Sequence, residues 1–467
     1  MQVAILSGIY GKTSADFERS VPVNMTPIAE PGDGDGTGIS KGYLRLIYGI
    51  RTAMTLPAVD RGGAVFQGVH LRVIGDTLYK LTGGELTAIG NVGSDGKRVQ
   101  FAEGFGRIGI ASNRNLFYYD GTAIKQVTDA DLGAVVSLAW SDSYFLTTDG
   151  DYIVATDLND PTSIDPLKYG SSEADPDPIV GLLALRGEVF AVNRYSIEKF
   201  INSGSSGFPF SRSRGSQIPK GAVGPYAYAS FVETFAFCGS ARNETPAVYL
   251  AGSGQAIRIS PRALDEALRK VPDVNLSGIE VESVHAGGLQ QLMVHLPTES
   301  WVYHWTASQL LGIPVWSKLA GGNRADQPYP ARNFLLADGQ WWCGNAAQLG
   351  VVDEKVTTLF DKPLAFQFDT PLLYNGGAAA IVHEAELATL AGRGDGDTRV
   401  ALSYTDDGLT WSQERFAGAG ARGNRGARPS WRRLGRLANW RGFRFRGVAQ
   451  APVAFSRLEV TLEPLNG

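Results

Sequence analysis

Between residues 68 and 356 the chain repeats one pattern, two short apolar runs separated by a polar turn. Leu71-Arg72-Val73-Ile74 turns at Gly75-Asp76 into Leu78-Tyr79-Lys80-Leu81, and Ile108-Gly109-Ile110-Ala111 turns at Ser112–Asn115 into Leu116-Phe117-Tyr118-Tyr119. The pattern recurs over Tyr144–Ala155, Val189–Phe200, Phe235–Leu250 and Leu292–Tyr303. A last unit runs through Phe334-Leu335-Leu336, turns at Asp338-Gly339 and is expected to return at Leu349–Val352. Apolar runs of this length, bounded by Gly, Asp and Asn, predict β-hairpins.

The second strand of each hairpin begins at residue 78, 116, 152, 197, 248, 301 or 349, a mean spacing of about 45 residues. A hairpin-rich unit of ~40–50 residues is the signature of a propeller blade. The expected fold is therefore mainly β, with a β-propeller-like ring of about seven hairpin-rich blades over residues 61–360. No Trp-Asp or kelch signature recurs, so a two-sheet β-solid built from the same hairpins stays open. Residues 1–60 read as an extended arm with the first strands. From Asp361-Lys362-Pro363 the texture changes to longer alternating runs at Thr398–Tyr404, Trp411–Arg415, Gly442–Val448 and Ala454–Glu463. These predict a C-terminal antiparallel β-sandwich-like domain over 361–467. One helix interrupts the series at Pro261–Val271, with Ser260 as its expected cap and Leu264, Leu268 and Val271 on one face.

Composition supports this reading. The 467 residues include 57 Gly and 23 Pro, too closely spaced for a helical bundle, and 43% hydrophobic residues, too many for disorder. Net charge is −4, which excludes a uniformly basic nucleic-acid coat. Cys238 and Cys343 read as small core residues, not a disulfide framework. Met1–Leu6 lacks the basic region of a signal peptide, and no run approaches the ~18 apolar residues of a membrane-spanning helix. A soluble protein made in the cytoplasm is expected.

No catalytic constellation emerges. His70, His285, His295, His304 and His383 form no ligand pair at helical spacing and read as core or surface residues. Gly32–Gly36 resembles the start of a calcium loop, but the twelfth position from Asp33 is Leu44, not a bidentate Glu. Arg393-Gly394-Asp395 is a tripeptide any Gly- and Asp-rich loop produces. Asp406-Asp407-Gly408-Leu409-Thr410-Trp411 looks like the Asp-box turn of sialidase-type propellers, with Tyr404 where Ser or Thr usually stands. It occurs once, outside the repeats, and reads as a hairpin stabiliser. No cofactor and no metal are expected.

Charge is unevenly spread. Residues 415–446 hold ten arginines and no Asp or Glu. They are Arg415, Arg422, Arg425, Arg428, Arg432, Arg433, Arg436, Arg441, Arg444 and Arg446, interleaved with Trp431, Trp440, Phe443 and Phe445. Arg beside aromatic rings suits a buried protein interface, a phosphate contact with stacking, or a solvated strand face. The block is the candidate contact for a protein partner or for DNA.

Seven segments run nearly the length of the chain: Val21-Pro22-Val23-Asn24-Met25, Gly42-Tyr43-Leu44-Arg45, Tyr119-Asp120-Gly121-Thr122, Val248–Gln255, His295-Leu296-Pro297, Thr405–Gly408 and Trp431–Arg436. In this order they resemble the packaged-DNA-stabilisation proteins, the tail-hub or nozzle proteins of Salmonella-type short-tailed phages. The insertion at 32–38 and the loop at 417–430 depart from that pattern. The resemblance implies a virion tail component that forms a homo-oligomeric ring, a hexamer, below the portal and its adaptor. It also implies contact with a tail needle or plug and with tailspikes, non-specific passage of double-stranded DNA, and no catalytic residues. A sialidase-like carbohydrate-active enzyme or a receptor-binding tail protein is the alternative.

Overall fold

Six hairpins share one two-residue turn in which both residues have positive φ: Gln67-Gly68, Phe105-Gly106, Asp142-Ser143, Arg186-Gly187, Gly287-Gly288 and Asp338-Gly339. This backbone matches the right-handed twist of paired strands. Each turn joins the first and second strands, paired antiparallel, of a four- to six-stranded sheet. In the computed structural model, residues 1–465 are described apart from 7–9, 13–16, 30–41, 159, 253, 377, 390–396, 421, 422 and 425. The Gly32–Gly36 run, Arg393-Gly394-Asp395, Arg422 and Arg425 thus lie outside the described residues.

Seven such sheets form the blades of a propeller, over residues 60–91, 100–126, 137–171, 179–212, 221–258, 280–328 and 332–353. All seven strand starts expected from the sequence fall on the third strand of a blade. Apolar side chains pack between neighbouring blades. Phe66, Leu71 and Val73 of blade 1 meet Ile108, Ile110 and Phe117 of blade 2, and Leu138 and Phe145 of blade 3 meet Leu116 and Tyr118. The ring is closed non-covalently. Gly49–Thr55, from the N-terminal region, adds antiparallel to Gln348–Asp353 as the fourth strand of blade 7.

Three expectations need correction. The Asp338-Gly339 turn leads into Gln340–Gly344, a strand that precedes Gln348–Asp353, because Trp341 and Trp342 continue the pairing immediately. The helix spans Arg262–Lys270 with Pro261 at its cap; the Ser260 hydroxyl instead donates to Asp265 (2.6 Å). Trp411–Glu414 is not a strand, which begins only at Arg415: the Asp407 carboxylate takes the Leu409 and Thr410 amides, and Ser412 alone bonds back to Tyr404 through its amide and hydroxyl.

The C-terminal residues form two packed sheets. One orders Met25–Ala29, Gly42–Leu46, Ala454–Pro464, Ala380–Thr389 and Ser430–Leu437, with Gln2–Ala4 also on Ala454–Pro464. The other orders Ala365–Asp369, Trp440–Val448, Arg399–Thr405 and Arg415–Gly418. Phe366, Phe368, Phe443, Phe445 and Phe455 fill the space between them. The same apolar cluster continues into Val284, Met293 and Val302 of blade 6, so sandwich and propeller share a core.

Residues 22–24 join the two parts directly. The Val23 amide donates to Gln367 O (2.8 Å) in the sandwich, while the Asn24 amide donates to Lys318 O (2.9 Å) in blade 6. Asn24, with φ of 55°, donates its side-chain amide to Ala320 O (2.8 Å) and Ala365 O (2.7 Å) and accepts from the Ala320 amide (2.9 Å). Asn tolerates this left-handed backbone better than most residues.

Candidate functional site

The arginine block lies on two edge strands of the sandwich, Arg415–Gly418 and Ser430–Leu437, and on the internal strand Trp440–Val448. Ser430–Leu437 is an edge strand, and exposed edges invite unwanted pairing. Arg441 blocks this one. Its buried guanidinium donates to Leu434 O (2.6 Å) and Arg436 O (2.8 Å). The same group holds Asp406 by two bonds (2.7 and 2.9 Å) and lies 3.9 Å from the centre of the Tyr404 ring. The Trp431 indole, also buried, donates to Arg415 O (2.7 Å) and ties the two sheet edges together. Arg433, with φ of 58°, lies in a bulge opposite His383 that further interrupts the edge.

Most of the remaining cations are neutralised within the chain. Arg444 grips Asp369 by two bonds (2.8 and 2.9 Å) and lies over Trp411; Arg446 meets Glu414 at 3.2 Å. Arg432 pairs with Glu384 (3.1 Å) and Arg428 with Glu386 (2.7 Å). Five of the eight described arginines therefore have a carboxylate partner. Arg415, Arg433 and Arg436 are exposed, without such a partner among the described residues. Trp440 is half-buried, and Phe443 and Phe445 point into the core. The strand Trp440–Val448 thus alternates core aromatics with outward paired arginines, and three of the eight described arginines are left without a carboxylate partner.

The Asp-box-like turn is built for structure. Asp407 accepts from the Leu409 and Thr410 amides (2.8 and 2.7 Å) and from the Thr410 and Thr405 hydroxyls (2.6 and 2.9 Å), which hold its carboxyl well below the usual range. Thr405, one residue beyond the position expected from the sequence, supplies the hydroxyl.

The propeller axis holds a polar cavity of about 330 Å³ lined by the first strands of the blades. Sequence reasoning missed its ion network, because the partners come from blades 1, 6 and 7 and from the 92–99 connection. Asp60 and Arg72 pair at 3.1 Å, both fully buried. Asn333 of blade 7 donates to the Asp60 carbonyl (3.0 Å) and carboxylate (3.2 Å), and Arg72 donates back to Asn333 O (2.9 Å). Glu282 of blade 6 accepts from the Asn333 amide (2.8 Å) and pairs with Arg98 (3.1 Å). Burial pushes the Glu282 carboxyl up, but Arg98, His295 and the Asn333 amide outweigh it and hold the group at about 2. Gln100, Ser137 and Tyr228 stitch blades 2, 3 and 5 in the same way. These groups bond one another, which gives the axis a structural role.

His70, His295 and His304 are buried, and burial lowers them to about 3, 4 and 3. His285 is exposed, and His383, also exposed, meets Glu463 at 2.6 Å. Cys238 and Cys343 are fully buried free thiols; burial pushes Cys238 up to about 12 and Cys343 higher. Among the described residues no group of three His, Cys, Asp or Glu could hold a metal, and no helix is long and apolar enough to cross a membrane.

Two family profiles divide the chain between them. One, Bacteriophage P22 Gp10, beta-propeller, matches residues 1–357; the other, Bacteriophage P22 Gp10, beta-sandwich, matches residues 365–463. The tail hub protein gp10 of Salmonella phage P22 is 28% identical over 482 residues, covering 96% of both chains. Among solved structures, the WD40 domain of Neurospora crassa Pan2 covers 65% of this chain and 91% of its own, at 10% identity and a TM-score of 0.38. The N-terminal domain of Nup159 covers 72% and 99%, at 8% identity and a TM-score of 0.41. The matches lend no support to a sialidase-like enzyme. With one profile on the propeller, the other on the sandwich and a relative collinear with both, the chain belongs to the P22 Gp10 family of phage tail hub proteins.

Proposed function

We propose that this tail hub protein assembles as six copies into a ring below the portal and its adaptor, in the virion tail, after synthesis in the host cytoplasm. The ring holds a tail needle or plug, lies against the tailspikes and forms part of the channel through which DNA leaves. The observation that carries this reading is the collinear match to a tail hub protein over 96% of both chains.

The role is mechanical, not catalytic. A closed propeller and a clamped sandwich edge leave few free strands to deform or aggregate. The shared core and the bridge through residues 22–24 make blade 6 and the sandwich one continuous support. Head-to-tail contacts that close a ring under pressure from packaged DNA need ~2,000 Å² or more each. Double-stranded DNA slides past through weak, non-specific contacts, and the internal neutralisation of five arginines suits that requirement. Particles packaged without this protein are expected to lose their DNA on isolation. Retention of the full genome in such particles would overturn the reading.

A further inference from the structure

The outer rim of blade 3 carries apolar surface with no cover. Its outermost strand, Ile164–Ser171, ends the sheet, and Leu167 on it is 80% exposed. Tyr152 on the adjoining strand is 47% exposed, and its ring lies 6.0 Å from that of Tyr169. Clustered apolar side chains on an unpaired edge mark a contact surface. The surroundings are mainly acidic, with Arg107 of blade 2 facing Asp160. Residues 129–177 contain eleven carboxylates against one lysine, and that Lys168 is already bound by Asp157. Asp131 and Asp151 beside the tyrosines are exposed.

The complementary charge lies at the other end of the molecule. Arg415, Arg433 and Arg436 of the sandwich edge face solvent without a carboxylate partner among the described residues. The sandwich packs on blades 6 and 7, and in a seven-bladed ring blade 3 is diametrically opposite the junction of those two. The sandwich is therefore attached on the side of the ring across from blade 3, and no ion pair joins Arg433 or Arg436 to blade 3 among the described residues. Complementary patches on opposite ends produce a head-to-tail contact, the kind that closes into rings.

We propose that the acidic, tyrosine-bearing rim of blade 3 docks a second copy of this chain through that copy's Arg433 and Arg436. The inference rests on the ring reading above and names the contact that builds the ring. The arginines pair with carboxylates at the rim of the contact, while Leu167 and Tyr152 are covered at its centre.

The test uses the full-length chain added to capsids that carry portal and adaptor. The double variants Arg433→Glu/Arg436→Glu and Asp131→Arg/Asp151→Arg should each lower incorporation at least tenfold while leaving the thermal melt unchanged. A one-to-one mixture of the two variants should recover alternating contacts and part of the incorporation, and the quadruple variant should recover more. In addition, Leu167→Cys/Arg436→Cys protein, treated with a bismaleimide after assembly, should give a ladder of chain-to-chain products. Normal incorporation of both charge variants, or cross-links only to another virion protein, would overturn the proposed contact while leaving the hub reading intact. Failure of the unaltered chain to join capsids would instead overturn the hub reading itself.

Discussion

The side-chain amide of Asn24 donates to the backbone carbonyl of Ala365 at 2.7 Å, across 341 residues of sequence. Through this bond and two to Ala320, one buried side chain links the first strand of the second sandwich sheet to the fourth strand of blade 6, Trp316–Gly321. Replacing Asn24 by Ala strands two carbonyls and an amide and leaves an unfavourable left-handed backbone. The expected cost is about 2–4 kcal/mol. Urea unfolding followed by tryptophan fluorescence should show a lower midpoint, and Asn24→Gly, which relieves only the backbone, should remain well below the parent.

Arg441 should dominate the arginine block energetically. Arg441→Met removes four bonds and uncovers the edge strand Ser430–Leu437, at a cost of about 3–5 kcal/mol together with a rise in aggregation. Arg436→Ala, on the exposed face, should stay within about 0.5 kcal/mol. Equal effects of the two substitutions in thermal melts would contradict the clamp assignment.

The closing seam of the propeller should depend on Asp60. Asp60→Ala leaves the buried Arg72 charge without its carboxylate and takes one of two acceptors from the Asn333 side chain, whose bond to the residue-60 carbonyl remains, for about 3–5 kcal/mol. Amide hydrogen exchange should quicken first in Gly49–Thr55 and its partner Gln348–Asp353, since these meet only through the ring closure. Uniform acceleration across all seven blades would contradict a local seam.

Acid should destabilise the fold below pH 6.5. His70, His295 and His304 stay neutral in the folded chain down to about pH 4 or 3, whereas the unfolded chain takes up their protons near 6.5. The unfolded state then binds more protons, so stability falls with pH through that window, by up to about 4 kcal/mol per unit for three such groups. Glu282, held at about 2, adds the same sign below about pH 4.5. Glu280, which burial pushes up, acts in the opposite sense, so the observed slope lies below the sum. Melting temperatures from pH 7.5 to 4.5 check this, and His304→Gln should flatten the decline by about a third.

The repeating unit was legible because blades are local. Leu71–Leu81 or Ile108–Tyr119 pairs with itself, so turn residues and apolar runs reveal it. The first and fourth strands of each blade were harder to read. Glu85–Asn91 and Gln255–Arg258, both fourth strands, are partly exposed and poor in apolar pattern. Gly49–Thr55 could not be assigned to blade 7 from sequence, since its partner lies 300 residues away and its own residues show no hairpin. The arginine block shows the same limit for function. Its composition advertised a contact surface, yet Asp406, Asp369, Glu384 and Glu386, which neutralise much of it, stand outside the block and reach it only through the fold.

The central claim is that this chain is a ring-forming hub at the tail vertex. Electron microscopy of the purified protein mixed with capsids carrying portal and adaptor tests it most directly. The account predicts six-fold density directly below the adaptor, with the propeller and sandwich of each copy moving as one unit. Chains that stay monomeric and leave the adaptor bare would contradict it.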